Sequence, residues 1–463
     1  MTLPMSDPGS FRDPGGRIFT DGSRILRAVM PASADAYAAV RDAGLYDQLA
    51  QRGLLIASTE VDPGVLAGVA PTPAYVLEHP KLPFISYPYE WTFSLHKKAA
   101  LLQLDLHMEL LSKGFTLTDA TAYNVQFNGT RPVFIDHLAL RPYHDGEYWI
   151  GHRQFCQQFL NPLLMWALLK TSPNAWFRGS LEGIAPEELA PLLPWRKKLS
   201  FTVLTHVAAQ AALQNRSVRA GGAAAPTGKL PRAGFEALLS GLRTYIADLK
   251  RPGQQTIWGD YANNTSYATS EAQEKRAFVA EAVAAAKPAM LFDFGCNTGD
   301  YSDAALEAGA GYVVGFDFDH GALDQAFHRF DQQAKPFLPL WLDAANPSPS
   351  QGWGQRERKG LAERAPADFL IALAFIHHIV IGRNVPLGMA LDWLLQMAPA
   401  GVIEFPPKSD PMVQRLLATR EDIFPDYSTE NFLHELSLRA RVVRSLQLAE
   451  NGRLLVAYDR RQG

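Results

Sequence analysis

Cysteine is nearly absent from this 463-residue chain, with only Cys156 and Cys296 present. That excludes a scaffold stapled by disulfides and points to a reducing compartment. An excess of either charge is missing too. Lys and Arg number 44 against 47 Asp and Glu, a formal net charge of −3. A nucleic-acid partner held by a broad basic footprint is therefore not expected. No apolar run is long enough to span a bilayer; the longest, near Phe369 to Ile381, is broken by His377-His378. The opening MTLPMSDPGSFRDPGG lacks the apolar core of a signal peptide. A cytoplasmic protein without a membrane span is the expectation.

What is present is the make-up of a globular chain, 47% apolar and 20% charged. The length is too great for one ordinary core, so more than one domain is expected. The clearest boundary is the Gly/Ala/Pro-rich stretch 216–234, which has few large apolar residues. It separates a domain over 15–215, preceded by a mobile tail at 1–14, from a second domain over 235–463.

The second domain is organised around MLFDFGCNTGDYSDAALEAGAGYVVGFDFD, Met290 to Asp319. A short apolar strand ends at a loop holding Gly295 and Gly299, where the backbone can turn tightly and approach a ligand. A helix and a second apolar strand ending at Asp317 follow. This is the layout of a nucleoside-type site at the carboxyl end of an open parallel sheet. The dinucleotide fingerprint G-x-G-x-x-G is excluded, because Asn297 and Asp300 stand where its other glycines would be. Further strands are expected to end at Asp343, at Ala374-Phe375 and at Glu404, with two closing strands near 441–448 and 454–458.

In the first domain, GRIFTDGSRILRAV (16–29) predicts a hairpin turning at Asp21-Gly22. Leu95 to Lys113 predicts a long helix stopped by Gly114. LTDATAYNVQFNGTRPVFIDH (117–137) then places Asp119, Asn124, a hairpin at Asn128-Gly129 and the strand end Asp136 in succession. Hard oxygen donors meeting from two loop ends suit a hard cation. His152 and Cys156 lie at i, i+4 on an apolar helix; with no third ligand nearby in sequence, they read as packing.

D-x-G-x-N-T-G resembles the first motif of the class I S-adenosylmethionine-dependent methyltransferases. The resemblance runs on to the end of the chain and implies an α/β, Rossmann-like, seven-stranded sheet whose last strand is antiparallel. It implies that Asp293, Gly295, Asn297, Thr298, Gly299, Asp317, Asp343 and Ala374 hold S-adenosyl-L-methionine, with Asp317 on the ribose hydroxyls and Asp343 on the adenine amino group. Tyr261, Tyr267 and Lys275 are candidates to cover the methionine end. Residues 117–137 resemble the catalytic and metal-binding loops of kinase-like phosphotransferases, implying an α+β kinase-like domain, Mg²⁺ at Asn124 and Asp136, and Mg-ATP as a second cofactor. Leu117-Thr118 and His137-Leu138 depart from that pattern, and Arg27 stands where a lysine is expected, so an altered or lost phosphotransfer site ranks first, a plain structural hairpin second and a working kinase third. As a whole, the chain is similar to a bacterial group of two-part, nodulation-protein-like methyltransferases, through SYPYEW, DATAYNVQF, FIDH, DFGCNTGDYS, LAFIHHI and EFPPKSD.

Methyl transfer from a sulfonium needs in-line positioning, and a base only when the acceptor must lose a proton. His377 or His378 is the candidate base, with Glu404 and Lys408 as polar lining and no metal in this domain. The expected function is methylation of a small metabolite or glycan presented by the first domain. The rivals are a bifunctional kinase-methyltransferase and a non-catalytic S-adenosylmethionine-binding regulator.

Overall fold

The computed structural model describes residues 4–212, 229–253, 269–364, 366–418 and 420–460. Tyr261 and Tyr267, and most of the expected linker, lie outside the described residues. The chain divides into two compact units. One comprises Met1–Phe127, Arg131–Pro252 and Gly352–Arg358; the other comprises Asn128–Thr130, Gly253–Gln351 and Lys359–Gly463.

The first unit begins with strands β1 (Met5–Ser6), β2 (Gly16–Asp21), β3 (Arg24–Val29), β4 (Thr59–Val61) and β5 (Tyr75–His79). They form an antiparallel sheet in the order β1-β2-β3-β5-β4. The expected hairpin is present, with Gly22 supplying the left-handed residue at φ +59° that a tight turn requires. Phe19, Leu26, Ala28, Met30 and Val76 point to one face and close a small core with Leu66. The long helix Phe93–Ser112 is capped by Thr92, whose hydroxyl accepts the Leu95 N–H. Strands β6 (Phe115–Leu117), β7 (Val125–Asn128), β8 (Arg131–Phe134) and β9 (Leu140–Pro142) follow, β6 pairing with β9 and β7 with β8. Helices then make up most of the chain from residue 152 to residue 212.

Two expectations for this unit are corrected. Residues 5–12 are not a free tail: Met5 and Ser6 pair with Thr20 and Phe19, and Arg12 grips Glu357 through Nε and Nη2. The helix Arg232–Asp248 also belongs here rather than to the second domain. Its apolar face of Phe235, Leu239, Leu242 and Ile246 is buried. Phe235 stacks edge-on against His107 of the long helix, and Lys97 of that helix donates to the carbonyls of Ala247 and Leu249. The composition break at 216–234 does not set the boundary, because the helix after it needs an apolar surface to cover.

The second unit is built on strands β10 (Leu291–Phe294), β11 (Val313–Asp317), β12 (Phe337–Trp341), β13 (Phe369–Ala372), β14 (Ala400–Phe405), β15 (Arg441–Gln447) and β16 (Leu454–Asp459). Their order is β12-β11-β10-β13-β14-β16-β15. Along β12-β11-β10-β13-β14 each pair of adjacent strands is parallel, while β16 runs antiparallel to both β14 and β15. This is the Rossmann-like α/β sheet of seven strands, with the last one reversed. Strands β10, β13 and β14 are buried along their whole length, which is why each is apolar apart from Asp293 in β10 and Glu404 in β14. After β10 the chain builds outward to β11 and β12, then returns to the other side of β10 for β13 and β14. The carboxyl end of β10 is therefore the topological switch point, where open α/β sheets bind ligands.

Candidate functional site

At that switch point the chain leaves β10 through three left-handed residues: Gly295 (φ +78°), Asn297 (φ +49°) and Gly299 (φ +84°). The turn folds back onto β11, where the Phe316 carbonyl accepts the N–H groups of Gly295 at 2.8 Å and Cys296 at 3.1 Å. Asn297 donates its N–H to Asp317 Oδ2 at 2.8 Å, and Asp319 donates to Oδ1 at 2.8 Å. The acid ending β11 is thus tied to the glycine loop and keeps further lone pairs for a ligand. Burial pushes its carboxyl up to about 6; those backbone donors oppose this, and the negative charge of Asp319 adds to it. Asn297 Oδ1 is a buried acceptor with no hydrogen-bond partner among the described residues. Thr298 is half-buried and donates to Asp300 Oδ2. Asp343, just past β12, is half-buried; its Oδ1 accepts the Ala345 N–H, and its Oδ2 lies 3.6 Å from Arg383.

Asp293 lies beneath this loop, 2% exposed, with the Ser302 hydroxyl donating to Oδ2 at 2.6 Å. Burial raises its carboxyl to about 7; the Ser302 bond opposes this, while Asp317 and Asp300 add to it. An unfolded Asp titrates near 3.9, so the folded state holds the proton more tightly. Stability from this group is therefore fully present below about pH 4 and lost as the pH rises through about 7. The expected result is that Asp293→Asn flattens this decline. Urea midpoints of the two proteins, measured from pH 4 to 8, check it; parallel profiles overturn it.

On the other side of β10, the strand end at Ala374 is strained. It is a non-glycine residue at φ +46°, a conformation that costs about 1–2 kcal/mol. Its N–H donates to Glu404 Oε2 at 2.5 Å. Glu404 was expected to line an open site, but the structure buries it completely. A charge in so dry a strand must be paired, and Glu404 Oε1 lies 2.7 Å from Lys275 Nζ and 3.5 Å from Arg453 Nη1. Lys275, expected at the ligand's methionine end, is itself buried and spans Glu404 and Glu271, the latter at 2.9 Å. Arg453 reaches on to Asp410 at 2.6 Å. Lys408 is paired outside this network, with Asp422.

The two histidines on the helix Ile376–Arg383 differ. His377 is buried, neither ring nitrogen finds a hydrogen-bond partner among the described residues, and burial first, then His378 and Arg453, push it down to about 2. His378 is half-buried and stacks on it at 4.1 Å between ring centroids. Burial, then Arg453, lowers its affinity for a proton too.

The first unit brings all four of its candidate residues together. Arg27 on β3 donates to Asp136 Oδ1 at 2.8 Å and to the Ile135 carbonyl at 3.0 Å. The Asn124 amide lies 3.1 Å from Asp119 Oδ1 and 3.4 Å from Asp136 Oδ2. Burial and then Asp136 raise the Asp119 carboxyl to about 7. Asp13, which the sequence did not single out, joins them; burial pushes it up and Asp136 adds to this. The three acids therefore act on one another, and Arg27 is paired with Asp136.

No family model matches the chain. Nodulation protein NoeA of Rhizobium meliloti (strain 1021) is 46% identical over 458 residues, covering 98% of this chain and 95% of that one. Similar solved structures include N-methyltransferase NodS from Bradyrhizobium japonicum WM9 in complex with S-adenosyl-l-homocysteine, with a TM-score of 0.33, 10% identity, and 45% of this chain and 94% of NodS covered. The PH0226 protein from Pyrococcus horikoshii OT3 is another, with a TM-score of 0.32, 13% identity, and 44% and 97% covered. A match over 98% of the chain takes in both units, and the chain belongs to the NoeA family.

Proposed function

We propose that the second unit is an S-adenosylmethionine-dependent methyltransferase and that the first binds or presents the acceptor. The observation that carries this reading is the acceptor pair at the switch point, Asp317 held by backbone donors and Asn297 Oδ1 buried beside it without a hydrogen-bond partner among the described residues. Such a pair suits vicinal hydroxyls and an ammonium, and the tight glycine turn lets a nucleoside lie close to the backbone. Asp343 would accept from the adenine amino group. When bound, the cofactor supplies a methyl group made electrophilic by the sulfonium. The chain's own part is to hold the nucleophile in line, exclude water and accept a proton where the acceptor carries one. His378 is the proposed base, because it keeps access to solvent while His377 is sealed beneath it. The balanced charge of −3 favours a small metabolite or glycan over nucleic acid as the acceptor.

Asp317→Ala is expected to weaken S-adenosylmethionine binding about tenfold to a hundredfold, the worth of a lost charge-assisted hydrogen bond. Isothermal calorimetry checks it; no binding by the parent protein, or binding unchanged by the substitution, overturns the methyltransferase reading. Tight binding with no methyl transfer to any extracted metabolite or glycan would favour the regulator instead.

A second reading, phosphotransfer by the first unit, is favoured by the convergence of Asp119, Asn124 and Asp136. Arg27 opposes it, since a permanent cation on Asp136 Oδ1 competes with Mg²⁺ for the same oxygen. Mg-ATP binding abolished by Asp136→Ala would establish the bifunctional reading, and no Mg-ATP binding is the expected result.

A further inference from the structure

The helices between residues 152 and 212 hold a cluster that methyl transfer does not use. His152 and Cys156 read as packing in the sequence because no third ligand is near them. The fold supplies one, His206. His152 Nε2 lies 2.8 Å from His206 Nδ1 and 3.7 Å from Cys156 Sγ, and the three ligand atoms fall within 4.8 Å of one another. Cys156 is fully buried and His206 nearly so.

We infer that His152, Cys156 and His206 form a binding site for a zinc-type divalent cation within the first unit. Zinc takes nitrogen at about 2.0–2.1 Å and sulfur at about 2.3 Å, which places the ligand atoms of a tetrahedral site about 3.3–3.6 Å apart. The cluster is already near those spacings, and a cation between the imidazoles would open the shorter one by about half an ångström. Two imidazoles with one thiolate are the donor set that favours zinc over magnesium or calcium.

The backbone is specialised at the same place. Cys156 begins one π-helical turn, Cys156–Leu160, and His206 sits in another, Leu204–Ala208. Such turns are rare and concentrate at functional sites. Each segment presents an i, i+4 pair to the cluster, His152 with Cys156 and His206 with Gln210. Gln210 Nε2 lies 3.0 Å from His152 Nδ1 and 3.5 Å from Cys156 Sγ, while its Oε1 is buried without a hydrogen-bond partner among the described residues. Once His152 binds through Nε2, its Nδ1 must carry the proton and needs an acceptor. A half-turn of the Gln210 amide places the oxygen there. The thiol proton passes to solvent as the metal–sulfur bond forms, and the fourth position is left to water.

The test uses the full chain. Elemental analysis after dialysis against Zn²⁺ is expected to show about one metal per protein, lost in Cys156→Ser and His206→Ala. Co²⁺ in place of Zn²⁺ is expected to give a thiolate-to-cobalt charge-transfer band that Cys156→Ser abolishes, and chelation is expected to lower the melting temperature of the loaded protein. A folded parent protein that takes up neither metal overturns the site, as does a stoichiometry or cobalt spectrum unchanged in the two variants. Should the variants fail to fold, the cobalt spectrum of the parent protein decides: without the charge-transfer band there is no cysteine-ligated site.

Discussion

Arg453→Ala is expected to lower the unfolding free energy by about 3–5 kcal/mol, the usual result of removing one partner from a buried ion pair. Arg453 and Lys275 are the two cations of a network that also holds Glu271, Glu404 and Asp410. With the arginine gone, three carboxylates face a single lysine in a region where Glu404 and Asp410 have almost no contact with water. Asp410 cannot easily move away, because it also accepts the Met412 N–H at the start of the helix Pro411–Leu417. Glu404 is anchored on its other oxygen by Ala374. Arg453→Lys is expected to recover only part of the loss, since one ammonium cannot serve both carboxylates as the guanidinium fork does. Urea unfolding followed by circular dichroism checks this. The loss should persist in concentrated salt, which screens exposed pairs far more than buried ones. A loss below about 1 kcal/mol would show that the network contributes no more than a surface pair. Because Glu404 also holds the strained strand end at Ala374, the same variant is expected to loosen that side of the proposed cofactor site.

The contrast between Arg453 and Asp317 shows what could be read without coordinates. Asp317 announces itself locally: an apolar strand, a helix and a glycine pair all lie within a few residues of it, and their geometry is set by short-range rules. Glu404 gave half a signal, a single acid in the all-apolar strand AGVIEF, which a buried sheet tolerates only when paired. The partner was illegible because β16 lies next to β14 through the antiparallel return of the chain, and nothing local to GRLLVAYD shows that register. The same limit hid His206, which meets His152 and Cys156 only after two helices pack. It also hid Asp13, placed by a turn before β2. Arg27, Asp119, Asn124 and Asp136 were legible as a set through the spacing of a family pattern; that Arg27 would close directly onto Asp136 was not. The domain boundary failed for a related reason. Composition locates where a chain can bend, but the helix Arg232–Asp248 sits where its apolar face is covered, and that surface belongs to the long helix Phe93–Ser112.

Gly299→Ala is expected to cost about 2–5 kcal/mol, from two additive causes: about 1–2 for a side chain in the left-handed region and about 1–3 for overpacking. Gly299 has φ +84°, and a Cβ built on it would lie 2.5 Å from Cε2 of Phe330 and 3.1 Å from Cζ. Phe330 cannot swing aside, since it is fully buried and stacked on Phe337 with ring centroids 4.0 Å apart. Phe337 in turn presses on Gly315 of β11, where an added Cβ would meet its ring at 2.5 Å and Cys296 Sγ at 2.8 Å. One aromatic pair thus underlies both the glycine loop and the strand leading to Asp317, and both glycines exist to admit it. The causes can be separated by a double-mutant cycle. Phe330→Leu alone is expected to destabilise by about 1–3 kcal/mol. In the Phe330→Leu background Gly299→Ala should cost only the backbone part, a favourable coupling of about 1–3 kcal/mol. Strict additivity in chemical denaturation would place the whole cost in the backbone. The coupling should reappear in calorimetry with S-adenosylmethionine, because a shift of Gly299 moves Asn297 and, through its N–H bond, Asp317.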